Sequence, residues 1–175
     1  LEDHKKELAV LTEKAKYDIS RKLFDFEAYA TKKHTIYPEL YNQMFEVSVE
    51  LTVFTFKMEN LIGVDQLDKI YDFEELDEDG IALMNEETLK LDRKIYKLTD
   101  YFKMNELFLS KETTTICRKT LKAIWDLNIH FSENEYNPSF VNEEKDNIRQ
   151  EIDLLKDVMY KELSYSHFEE TEEKA

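Results

Sequence analysis

The stretch "VSVELTVFTF", residues 47–56, decides the fold. Its β-branched and aromatic residues have the composition of a strand. The wider pattern says otherwise. Tyr37, Leu40, Met44, Val47, Leu51, Phe54, Met58 and Leu61 follow one another in alternating steps of three and four. That is the seven-residue seam of a coiled-coil-like helix, and it runs straight through the stretch. Strands seldom exceed about ten residues, so 47–56 is read as helix. Tyr41, Phe45, Val49, Val53 and Phe56 fill much of the remaining circumference. Such a helix is expected to be covered by more than one neighbour.

Upstream, Leu8, Leu11, Ala15, Ile19, Leu23, Phe26 and Ala30 form one narrow apolar stripe among Lys and Glu. From Leu23, steps of three and four land on Phe26, Ala30, Lys33 and Tyr37, so the phase survives Pro38. A proline inside a helix removes a hydrogen bond and clashes with the preceding turn. One long helix, kinked near His34 and ending at Gly63 in a left-handed cap, is therefore expected.

Beyond Gly63, Asp65 is placed to cap a short helix over 66–73. Met84, Leu91, Ile95, Leu98, Phe102 and Leu109 mark another helix, over 84–109. Ser110 reads as the N-cap of the next, which carries Ile116, Cys117, Leu121, Ile124, Leu127 and Phe131. "SENEYNPSF", 132–140, reads as a polar loop. A last helix over 142–165 carries Ile148, Ile152, Leu155, Met159 and Leu163. The sequence thus predicts an all-α fold, an elongated antiparallel bundle of four to five helices with a long, kinked N-terminal helix. Residues 1–168 form one domain, from which 1–33 projects, and 169–175 form an acidic disordered tail. Two glycines and two prolines among 175 residues leave few turn-formers for a many-stranded fold.

Composition narrows the function classes. The net charge is −15, with 17 acidic against 7 basic residues over 34–110. Such a surface repels phosphate, so no direct nucleic-acid binding is expected. No run of 18 apolar residues occurs, so this chain should not insert into a membrane. The single cysteine, Cys117, excludes an internal disulfide framework and is expected to be buried and inert.

One stretch looks like a chemical site. In "EELDEDGIALMNEE", 74–87, Glu75, Asp77 and Asp79 occupy positions 1, 3 and 5 of a calcium-binding EF-hand loop, Gly80 position 6 and Glu86 position 12. Glu75 is one methylene longer than the usual Asp, Leu83 offers no oxygen at position 9, and no second such loop exists. An acidic turn with Gly80 at positive φ is the preferred reading. The Glu-x-x-His pair of helical di-iron sites is missing before His4, His34, His130 and His167. No phosphate-cradling glycine loop is present. The expectation is a protein without cofactor or catalytic residues.

The Lys/Glu-rich first helix, "KKHTIYPELY" (32–41), "ELFLSKE" (106–112) and "LLKDVMYKEL" (154–163) resemble a loose group of uncharacterised bacterial proteins. These carry an N-terminal membrane helix, a long charged helix and a helical cytoplasmic domain. The resemblance implies a cytoplasmic location, with a membrane anchor upstream of Leu1. It assigns no functional residues.

Two function classes remain. One is a non-catalytic helical interaction domain whose first helix pairs with a second copy through Leu8, Leu11, Ile19, Leu23 and Phe26. The alternative is an acidic nucleic-acid mimic, presenting the carboxylates of 65–79 at phosphate-like spacing.

Overall fold

The computed structural model describes residues 2–63, 70–132 and 135–172. Four long helices carry the fold: α1 (Glu2–Ile62), α2 (Glu78–Asn105), α3 (Lys111–Ser132) and α4 (Pro138–Glu172). Short 3-10 turns, Phe73–Glu75 and Glu106–Phe108, flank α2.

The stretch 47–56 is helical, in the middle of α1. That helix has 61 residues and is continuous across Pro38. At a rise of 1.5 Å per residue it extends for about 90 Å. The proline is tolerated because Ile36, Tyr37 and Leu40, on either side of it, are buried in the bundle. A buried apolar side chain contributes about 1.5–3 kcal/mol, so three of them outweigh the roughly 3 kcal/mol that an interior proline costs. Gly63 ends α1 at φ +90°, donating its N–H to the Glu59 carbonyl at 3.0 Å. This is the left-handed cap that the sequence predicts.

Cross-links fix the topology as up-down-up-down. Lys57 pairs with Glu87, and Lys94 with Glu50, so α2 runs against α1. Asn128 donates to Asp92 at 2.7 Å and Trp125 to Thr99 at 3.3 Å, which sets α3 against α2. Lys119 faces Glu151, and Ser110 bonds Glu162, so α4 descends beside α3. The core is the predicted seam of α1, buried from Tyr37 to Met58, packed on Leu91, Ile95, Leu98, Ile124, Leu127, Phe131, Ile152 and Leu155. At its end Ile62 rather than Leu61 is buried.

The structure corrects four expectations. Residues 64–69, including Asp65, lie outside the described residues, but 71–72 is strand rather than helix, and Phe73 begins a 3-10 turn. Tyr71–Asp72 (β1) pairs antiparallel with Glu135–Tyr136 (β2), Tyr71 opposite Tyr136. In an up-down-up-down bundle the α1–α2 and α3–α4 connections emerge at the same end, so two extended segments meet there and satisfy each other's backbone. Second, the supposed polar loop gives a core residue. Tyr136 is fully buried, donates to Glu59 at 2.8 Å, and its ring lies 6.3 Å from that of Phe73.

Third, α4 begins at Pro138, four residues before the expected start. Pro138 occupies the first helical position, where its missing N–H costs nothing. Asn137 caps the helix by accepting the Phe140 N–H at 3.2 Å. The helix then runs to Glu172, past the expected tail boundary at 169. Fourth, Phe45, Val49, Val53 and Phe56 remain 41–65% exposed. α1 does have two neighbours, α2 and α4, as expected, but at the corner of a four-helix bundle both lie on its inward side, and these residues lie outside their cover.

Candidate interaction surface

Residues 2–32 of α1 extend beyond the bundle as an arm. Every side chain from His4 to Tyr29 is exposed. The predicted contact residues Leu8, Leu11, Ile19, Leu23 and Phe26 stand 54–67% open to solvent, all on one α-helical stripe. A sparser line escaped the sequence reading: Val10, Tyr17 and Phe24, seven residues apart on the opposite face, are exposed as well. The helical period that locates the first stripe also locates this one, two turns per step.

The arm is anchored at its base by a polar cluster. Lys33 donates to Glu162 Oε2 at 3.0 Å and Tyr37 to the same oxygen at 2.6 Å. Thr113 donates to Oε1 at 3.0 Å, and the Ser110 hydroxyl also donates to Oε1. Ser110 is the N-cap of α3, as predicted; its Oγ accepts the Thr113 N–H at 3.0 Å. Four donors thus converge on one carboxylate and tie α1, α3 and α4 together. Burial pushes the Glu162 carboxyl up, but the hydrogen bonds from Ser110, Tyr37, Lys33 and Thr113 outweigh it and hold the group below the usual carboxylate range. Burial likewise works to lower the Lys33 ammonium, and the bond to Glu162, with the charges around it, leaves it raised instead. Lys33 also lies over the rings of Tyr29 and Tyr37, 5.2 and 5.4 Å from their centroids. Tyr29 in turn lies 6.3 Å from Phe108. The cluster is a satisfied structural joint.

A second open surface, apolar mainly on its α1 side and polar on its α4 side, lies between α1 and α4. Phe45, Val49 and Thr52 face Asn142, Lys145 and Arg149 across a groove of about 520 Å³.

The calcium-loop candidate comes apart in three dimensions. Glu75 closes a 3-10 turn, Asp77 is the N-cap of α2, and Asp79 and Glu86 already belong to that helix. Asp77 Oδ1 accepts the Gly80 N–H at 2.8 Å, and Glu86 pairs with Lys90 at 2.8 Å. Gly80 is not at positive φ; it is helical and buried. A Cβ there would meet Asp77 Oδ1 at 3.1 Å and Leu76 Cβ at 3.4 Å. The glycine therefore lets the cap close tightly on the first turn. Among the described residues, no group of three or more His, Cys, Asp or Glu is arranged to hold a metal.

Cys117 is buried, and burial pushes its thiol up to about 12. His130 accepts the Asn137 N–H at 3.1 Å through Nε2, a structural bond beside the α4 cap. No helix among the described residues is long and apolar enough to cross a membrane. Compared with protein-family profiles, curated proteins and solved structures, the chain matches none.

Proposed function

We propose that this chain is a non-catalytic helical interaction domain that pairs with a second copy of itself through residues 8–30 of α1. One observation carries the reading: Leu8, Leu11, Ile19, Leu23 and Phe26, one stripe of the arm, are left 54–67% exposed by the bundle. An isolated amphipathic helix gains little from propensity alone and depends on burying its apolar face. A second arm supplies that burial with matching periodicity and near-neutral charge, 8 basic against 7 acidic residues over 1–33. Truncating a well-buried apolar residue costs about 2–5 kcal/mol. Leu11→Ala with Leu23→Ala should therefore weaken association by roughly a hundredfold or more, at 1.4 kcal/mol per factor of ten. Sedimentation velocity reads this, with helicity by circular dichroism as the control.

The mimic reading gains no support. Asp65 and Asp68 lie outside the described residues, while Asp72 and Asp77 are occupied capping the Glu74 and Gly80 N–H groups. We place the protein at the inner face of a bacterial cell membrane on the resemblance alone. Co-fractionation of the native gene product with membranes tests that placement.

A further inference from the structure

Granting self-pairing through the arm, we propose that the two copies run antiparallel, so that the assembly is a rod with one bundle at each end. An α-helix repeats its azimuth every 18 residues, five full turns. Ala15 therefore shares a direction with Lys33, and Ile19 with Tyr37. Lys33 and Tyr37 point into the bundle, toward Glu162 of α4 and Ser110 of α3. The stripe of the arm accordingly faces the side on which the bundle stands.

That shared direction selects the orientation. A parallel partner seated on the stripe would carry its own residues 33–62 into the volume filled by α3 and α4. Parallel pairing does align Glu7 with Lys5 and Asp18 with Lys16 of the second copy, but exposed ion pairs contribute little and cannot offset two overlapping bundles. In the antiparallel arrangement the partner's bundle meets no such overlap. The partner's residue 2 lies opposite residue 32, and its bundle stands beyond the far end of the arm.

In the register where opposed residue numbers add to 34, the stripe is self-complementary. Leu8 faces Phe26 of the second copy, Leu11 faces Leu23, and Ala15 faces Ile19, a small side chain against a larger one. On the flank, Lys5 comes close to Glu27 of the second copy. The two bundles are then held about 45 Å apart by some thirty residues of helix at 1.5 Å each. The assembly is a spacer that presents two identical α1–α4 grooves at fixed separation.

Nitroxide labels on His4→Cys and Thr31→Cys test this by pulsed electron resonance in the full chain. The buried Cys117 does not compete for the label. With His4→Cys alone, two labels 26 residues apart along antiparallel arms should lie about 40 Å from each other. A mixture of the two variants should add a short distance, set by a helix spacing of about 8–10 Å and the label arms. A short distance in the His4→Cys sample alone would overturn the orientation and leave self-pairing standing. No intermolecular distance in either sample would overturn both.

Discussion

Tyr37 donates its phenolic hydrogen to Glu162 Oε2 at 2.6 Å, one helical turn from the point where α1 leaves the bundle. The bond joins the first and last helices of the chain across 125 positions. It makes the base of the arm continuous with the core, so a load on the arm is carried into α3 and α4.

Glu162→Gln should loosen this joint. An amide offers one accepting oxygen where four donors converge, and its NH2 group opposes the Lys33 ammonium. Leaving such donors unsatisfied costs about 1–3 kcal/mol, read as a lower midpoint in urea unfolding. The penalty should depend on pH in one direction. The folded-state carboxyl lies below its ordinary range, so its contribution is present above that range and is lost as pH falls through the folded value. Variant and parent should therefore differ fully at pH 7 and converge only as pH falls below the ordinary carboxylate range. Lys33 is raised, so its part stays intact up to its ordinary value and is lost only above it.

Tyr136→Phe should cost about 1–2 kcal/mol, since it deletes a hydrogen bond to the carboxylate of Glu59 and leaves the packing against Phe73 in place. Thermal unfolding measures it. An unchanged midpoint would show that the Tyr136–Glu59 hydrogen bond adds nothing to the β1–β2 clasp.

Asp77→Ala should lower stability by about 1 kcal/mol through loss of the α2 cap. Adding calcium should leave the melting temperature of the parent chain unchanged. Calorimetry showing micromolar calcium binding, abolished by Glu86→Gln, would restore the acidic stretch as a metal site.

Periodicity made the helices legible. The seam from Tyr37 to Met58 identified the side of α1 that is buried, and Ser110 and Gly63 announced their caps. Hidden were the places where a polar residue sits on an apolar seam. Glu162 follows Leu155 and Met159 at helical spacing, and Glu87 falls between Met84 and Leu91, so each occupies a core position on its helix. A charge in phase with a seam was the available signal, but its partners, Lys33 and Tyr37 for one and Lys57 for the other, come from distant helices. Pairing across such distances is not written in any local pattern. Tyr136 was missed for the same reason: its surroundings read as turn, and only the meeting of two loops buries it. The stripe on the arm was legible residue by residue. That the bundle leaves it uncovered follows from the length of α1, 61 residues against 28, 22 and 35 for α2, α3 and α4.

Sedimentation equilibrium of the unmodified chain over a wide concentration range tests the central claim, self-pairing through the arm, most directly. The account predicts a mass that rises from 21.0 kDa toward twice that value with concentration, and a shift of this transition to higher concentration in the Leu11→Ala, Leu23→Ala variant. A mass of 21.0 kDa at every concentration would contradict it.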